Sequence, residues 1–458
     1  MVQTKHRLTL KPYLGLWLFL FLVHSLSSQP FESGTIIDTV RCESDPAQTY
    51  ALYIPSSIGS NAPKSVIYFM EPAARGSLPL KLYRQLAEKY EIVLIGSNNS
   101  KNGPLHLGVE AYENVRKHTQ RHLQISDAKV VVSGFSGGGR LSQHLASLDS
   151  DIDGVISVAG PKSEYSAHFP GENDDLKYAA VVGTRDMNYR EHRLWDETLK
   201  ERKVGSFLNV YDAGHQWAPE EEYEVTIAHL YGLLGLGWNT EYIERVKQRI
   251  DSLKVSNLSE SYRLATSFEN KTLPISNDLT EIISGLEAEK GFKKAMNQDG
   301  KYLKDEGRKM ELYYKAFSEF ETSILNPHIL DSTTYTASWW RKEIKALINT
   351  AKKADSRGDM SARLLDNLNG YLHGVTNKGD QMKRYDLSLQ STELQLLISQ
   401  NAPWFQWKKA IYLANLGEEQ KAKSTVSQLR KNNPERLKEI LQLPYWDGAK
   451  ARFPYLFI

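Results

Sequence analysis

The run Lys129-Val130-Val131-Val132-Ser133-Gly134-Phe135-Ser136-Gly137-Gly138-Gly139-Arg140 carries the clearest chemistry in this sequence. An apolar β-rich stretch leads straight into Gly-X-Ser-X-Gly, and a helical stretch through Ser142, His144 and Leu145 follows. In that setting the serine sits on a sharp strand-to-helix turn, and the glycines leave room for strand and helix to approach. The helix start also offers backbone N–H groups and a positive dipole end to developing negative charge. The bland alternative is a glycine-rich turn that binds phosphate or nothing. The flanking strand and helix select the nucleophile reading for Ser136.

A serine hydroxyl needs a base to take its proton. In the chain order serine, acid, histidine, the base is expected late. His215, in Tyr211-Asp212-Ala213-Gly214-His215-Gln216-Trp217, follows a predicted strand on a short loop. His192 and His229 fall inside predicted helices, where packing or solvation is the simpler role. The acid that orients the imidazole is expected at Asp186, just after the run ending at Gly183, with Asp212 as its rival. Asp212 reads otherwise as a turn-capping carboxylate.

An oxyanion requires two donors. The N–H of Gly137 is the first. The second is expected from Glu71-Pro72-Ala73-Ala74-Arg75-Gly76, the loop after Ser65–Met70. Pro72 has no N–H, which leaves Ala73 and then Ala74. Arg75 is expected in the pocket against a substrate carboxylate, or paired with Glu71. Phe135 and Trp217 are expected to line the pocket.

The elements around these residues alternate. Strand-like runs are predicted at Tyr50–Ile54, Ser65–Met70, Glu91–Gly96, Lys129–Ser133, Gly154–Ala159, Tyr178–Gly183 and Ser206–Tyr211. Helical patterns at Leu80–Tyr90, Gly108–Leu123, Arg190–Arg202 and Glu220–Leu234 lie between or after them. Such alternation predicts an α/β architecture, a mostly parallel sheet with helices on both faces. The gap from Gly137 to Asp186 is too short for a large lid, so the site is expected to be open or partly covered by the helical half.

After Gly237 the strand-like runs stop. Residues 256–280 are polar and expected to be a loop-rich connection, and from Leu286 onward helix is expected almost throughout. The expected division is therefore a catalytic domain over 35–237 and an all-α domain over 238–458. Gly417, Ala422, Val426, Leu429 and Pro434 stand at offsets that resemble the second half of a tetratricopeptide repeat, over about one unit near 402–434. An ordinary helical hairpin is the alternative.

The 458 residues are 41% hydrophobic and 24% charged, which fits a globular protein. A formal charge of +2 gives no concentrated basic face for nucleic acid. Lys5, Arg7 and Lys11, then the mostly apolar run Leu14–Leu26 and Ser27-Ser28, read as a secretory signal over 1–28. Its removal would take the formal charge to about −1 and leave no membrane span. A secreted or periplasmic location follows. Cys42, the single cysteine, has no internal disulfide partner and is expected as a half-buried strand residue.

Residues from about 48 to 235 resemble the α/β-hydrolase family, in its branch of compact secreted esterases (polyhydroxybutyrate-depolymerase-like and feruloyl-esterase-like). The resemblance rests on Tyr50-Ala51-Leu52-Tyr53-Ile54-Pro55, Gly134-Phe135-Ser136-Gly137-Gly138, Gly183-Thr184-Arg185-Asp186 and Gly214-His215-Gln216-Trp217. It implies Ser136, Asp186 and His215 as a triad cleaving carboxylic esters, with no metal or organic cofactor. Many relatives carry His-Gly where this chain has Glu71-Pro72. The expected substrate is a small-molecule or carbohydrate- or polymer-linked ester. A serine peptidase with the same triad and a binding protein on a retired scaffold are the alternatives. A protein or peptide partner is the expectation for the helical half.

Overall fold

The computed structural model describes residues 31–59, 61–162, 175–269, 276–325 and 335–457. The expected signal over 1–28 lies outside them. Eight strands form one sheet in the order β1-β2-β4-β3-β5-β6-β7-β8. They are β1 (Ile37–Arg41), β2 (Thr49–Tyr53), β3 (Ser65–Met70), β4 (Ile92–Ser97), β5 (Lys129–Phe135), β6 (Gly154–Val158), β7 (Lys177–Gly183) and β8 (Ser206–Tyr211). A mostly parallel sheet of this order, with a serine at a strand-to-helix turn after β5, is an α/β-hydrolase fold. A helical region follows it.

The chain divides into two compact units, residues 1–155 and 156–458. In the first, β3 lies between β4 and β5 and runs parallel to both, while β1 and β2 add an antiparallel edge. Every residue of β3 and β4 is buried, which explains their continuous apolar sequences. The helices are α1 (Ser77–Tyr90), α2 (Leu105–His122) and α3 (Gly137–Leu148). Strand β1 escaped the sequence reading because Asp38, Thr39 and Arg41 are exposed at the sheet edge, breaking the alternation. Cys42 lies just beyond it and is fully buried rather than half-buried.

In the second unit β7 and β8 pair in parallel. Helices α4 (Tyr189–Glu201) and α5 (Glu220–Leu233) belong to this strand-bearing part. From α5 on, every described element is helical, so strands end where the sequence texture changed. The expected loop over 256–280 is in part a helix, α7 (Leu258–Phe268), which follows α6 (Thr240–Ser256). Asn257 caps it, accepting from Glu260 N, and Leu264, Ala265 and Phe268 form its buried stripe. Its polar composition hid that stripe. Next come α8 (Ser276–Glu287), α9 (Phe292–Leu325), α10 (Ala337–Ala351), α11 (Ser356–Met382) and α12 (Tyr385–Ile398). Trp340 and Phe317, stacked with centroids 4.1 Å apart, anchor a core shared by α9 to α12.

Helices α13 (Pro403–Asn415) and α14 (Glu419–Asn432) form a hairpin about Gly417, whose φ of +80° an L side chain rarely adopts. Ala422, Val426 and Leu429 are buried in its core with Trp407. Pro434 opens a further helix, α15 (Pro434–Leu441).

Candidate active site

The corner around Ser136, the expected nucleophile, is built within residues 1–155. Ser136 stands between β5 and α3 with φ +53° and ψ −120°, a sparsely populated conformation for a non-glycine residue. Its neighbours explain why it is held there. A Cβ on Gly138 would lie 1.9 Å from Met70 O, and one on Gly134 would lie 2.3 Å from Gly138 C. The end of β3, the end of β5 and the start of α3 therefore converge too closely for any side chain at those positions. The N–H of Gly137, in the first turn of α3, has no carbonyl one turn back to accept it. Phe135 is half-buried at the end of β5.

The two expected second donors, Ala73 and Ala74, both have partners within their own loop. Glu71 is fully buried, and its Oε2 accepts the N–H groups of Ala73 at 2.7 Å and Arg75 at 3.1 Å. Ala74 N–H donates to Glu71 O at 3.1 Å. Both candidate donors are thus committed inside their own loop. Arg75 is likewise spent: Nη2 lies 2.5 Å from Glu71 Oε1, and Nε also donates there. Of the two expected roles, the pairing with Glu71 is the one observed. Burial pushes the Glu71 carboxyl up, but hydrogen bonds from Arg75 and Ala73 outweigh this and hold it below the ordinary glutamate value. A different polar group approaches Gly137. A Cβ there would lie 2.0 Å from Asn102 Oδ1 and 3.4 Å from Nδ2, so the Asn102 carboxamide packs on the glycine. Asn102 N donates to Pro72 O at 2.9 Å, which ties the two loops together.

Asp186 and His215, the expected acid and base, are held together within residues 156–458. Asp186 follows β7 and is fully buried. Its Oδ2 lies 2.9 Å from His215 Nδ1, and its Oδ1 accepts Asn188 N–H at 2.8 Å. Both carboxylate oxygens are used, which fixes the orientation of the group. The loops after β7 and β8 are joined by Thr184 N to Tyr211 O at 2.8 Å and Arg185 N to Ala213 O at 2.9 Å. Asp212 has a side chain 82% exposed and paired with Arg185 at 2.9 Å, so it faces solvent. His229 is buried and stacked on Phe207 at 4.1 Å, and burial lowers its pKa to about 3. Trp217 is half-buried two residues beyond His215.

Residues that the sequence reading did not single out complete this corner. Helix α11 brings Arg363, Asp366 and Asn367 to the loop that carries Asp186. Arg363 is buried and bonded by Nε and Nη2 to both oxygens of buried Glu306, at 2.9 and 2.7 Å. Its Nη1 donates to Thr184 O at 2.6 Å, and its guanidinium lies 4.6 Å from the Tyr189 ring centroid. Asn367 Nδ2 donates to Met187 O at 3.3 Å. Burial raises the Asp366 carboxyl above the ordinary aspartate value; His215 pulls it down and Asp186 pushes it up. No local signal marks these residues, because they lie some 180 positions along the chain from the loop that they hold.

No family model matches this sequence. No curated protein matches it either. Solved structures do. One is the fluorophosphonate-binding serine hydrolase F of Staphylococcus aureus: 11% identity, 43% of this chain and 99% of that one, TM-score 0.35. Another is the esterase of Pyrobaculum calidifontis: 15% identity, 47% and 90%, TM-score 0.35. A third is an S-formylglutathione hydrolase of Agrobacterium tumefaciens: 15% identity, 45% and 96%, TM-score 0.33. Identity this low transfers neither substrates nor residue roles to the chain.

Proposed function

We propose that this protein is a serine hydrolase that cleaves carboxylic esters through Ser136, His215 and Asp186. The observation that carries the reading is the backbone of Ser136, held at φ +53° between glycines that admit no Cβ. A purely structural turn has no need of a strained serine there. In the proposed reaction His215 Nε2 takes the Ser136 proton as Oγ attacks the ester carbonyl. Asp186, bonded to Nδ1, orients the imidazole and stabilises its cation. The alcohol leaves with the proton from His215. Water, deprotonated by His215, then releases the acid from the acyl-enzyme.

The oxyanion is assigned to Gly137 N–H and the Asn102 side-chain amide. Asn102 replaces Ala73 and Ala74, whose N–H groups are committed, and packs on Gly137. A half-turn about its last side-chain torsion exchanges the O and N ends. We assign α11 the role of a buttress for the acid loop, on the Arg363 and Asn367 bonds to Thr184 and Met187. A partner-binding, tetratricopeptide-like role for 402–434 is a second, separate proposal, resting on the sequence offsets and the hairpin about Gly417. The leader-like residues 1–28 support a secreted or periplasmic enzyme.

Purified protein offered p-nitrophenyl acyl esters and aminoacyl anilides side by side tests the reaction class. Ester turnover is expected. Turnover of anilides only would make the protein a peptidase and overturn the ester reading.

A further inference from the structure

Among the described residues, outside the proposed catalytic ones, one cluster of side chains has the makings of a metal site. Glu43, His118 and His122 each present a ligand atom, and these atoms all lie within 4.8 Å of one another. Two histidines four residues apart occupy one face of α2, in its last turns. Their rings are 4.4 Å apart between centroids. Glu43 arrives from the loop joining β1 to β2.

The contacts around the cluster place its ligand atoms. His118 Nδ1 is 3.0 Å from the hydroxyl of buried Tyr50, which leaves Nε2 as the nitrogen it can offer. This is the outer contact that fixes ring and tautomer in metal-binding histidines. His122 Nε2 lies 3.1 Å from Glu43 Oε2, within ion-pair distance, and that nitrogen is buried. The cluster also sits at the C-terminal end of an 18-residue helix, where the dipole favours positive charge.

We propose that Glu43, His118 and His122 bind a divalent transition-metal ion of the zinc class. Two imidazoles and a carboxylate are the donor set for such an ion, and a water fills the fourth position. The ion would join the β1–β2 loop to the end of α2 and so staple the antiparallel edge to the body of residues 1–155. This site is independent of the esterase reading.

The test uses untagged full-length protein stripped with a chelator, titrated with Zn2+ against a chromophoric competitor and with Co2+ in the visible. One equivalent bound with a Kd below about 10 µM is expected, with the intense bands of four-coordinate cobalt. His122→Asn and Glu43→Gln change partly exposed side chains and keep the fold; they should weaken binding by about 100-fold and about 10-fold. Tyr50→Phe should weaken it by about 10–100-fold through the outer contact. Zn2+ should raise the unfolding temperature of the wild type and not of His122→Asn. His215→Ala should keep the equivalent. The proposal is overturned by three results: no stoichiometric binding, binding unchanged in His122→Asn, or binding lost in His215→Ala. The last would place the ion at the catalytic histidine.

Discussion

The two compact units solve the problem of holding a reactive group by different means. In residues 1–155 the serine is positioned by its own neighbours: two glycines, the end of β3 and the first turn of α3. In residues 156–458 the acid–histidine pair is positioned from far away, by a buried Arg363–Glu306 pair on helices well beyond the strands. The first device is steric and local. The second is electrostatic, and its partners meet only once the helical region has folded. A local device can be damaged only near the serine, whereas a remote one makes the acid loop depend on the helices.

The largest effect should come from the local device. Ser136→Ala is expected to lower kcat on a p-nitrophenyl ester by about 10⁴–10⁶-fold with the unfolding midpoint unchanged. His215→Ala should act comparably. In the remote device stability and activity should fall together. Arg363→Met leaves Glu306 buried and uncompensated and should cost about 3–5 kcal/mol of stability, measured by urea unfolding. The double variant Arg363→Met with Glu306→Leu should regain that stability and still lack the bond to Thr184. Its kcat is expected to stay about 10-fold low. Full recovery of kcat would show that the buttress does not act on the acid loop.

Asn102→Ala should lower kcat by about 10²-fold with little change in KM, as loss of one oxyanion donor does. A loss under about 2-fold would remove Asn102 from that role.

The smallest effect concerns Asp366. Its carboxyl titrates above the ordinary aspartate value, so the folded protein holds that proton more tightly than the unfolded chain does. Stability is therefore lost as pH rises from about 3.9 through the folded value. Asp366→Asn should raise the urea midpoint at pH 7 and leave it unchanged near pH 3. An equal midpoint at both pH values would mean that the group is not held up.

How much could be read from the sequence follows the same division. Predicted Ser65–Met70 and Ser206–Tyr211 coincide with β3 and β8, because fully buried strands advertise themselves as apolar runs. The turn at Ser136 was legible because its glycines lie within two residues of it, although the end of β3 that they meet lies far back in the chain. Asp186 and His215 could be named, but nothing in the sequence pointed to Arg363, Glu306 or Asp366. The partners of Ala73 and Ala74 were hidden for a related reason. Nothing in the local pattern shows that the Glu71 side chain folds back to take Ala73 N–H, or that Asn102 meets Gly137. The spacing of His118 and His122 is visible on the page, but Glu43 joins them only through the β1–β2 loop, and β1 itself was hidden by its exposed charges.

The central claim is that Ser136 is a nucleophile activated by His215. Fluorophosphonate labelling followed by peptide mapping tests it most directly. One adduct is expected, on Ser136, abolished by Ser136→Ala and formed much more slowly in His215→Ala. A wild type that is not labelled, or an adduct on any other residue, would contradict it.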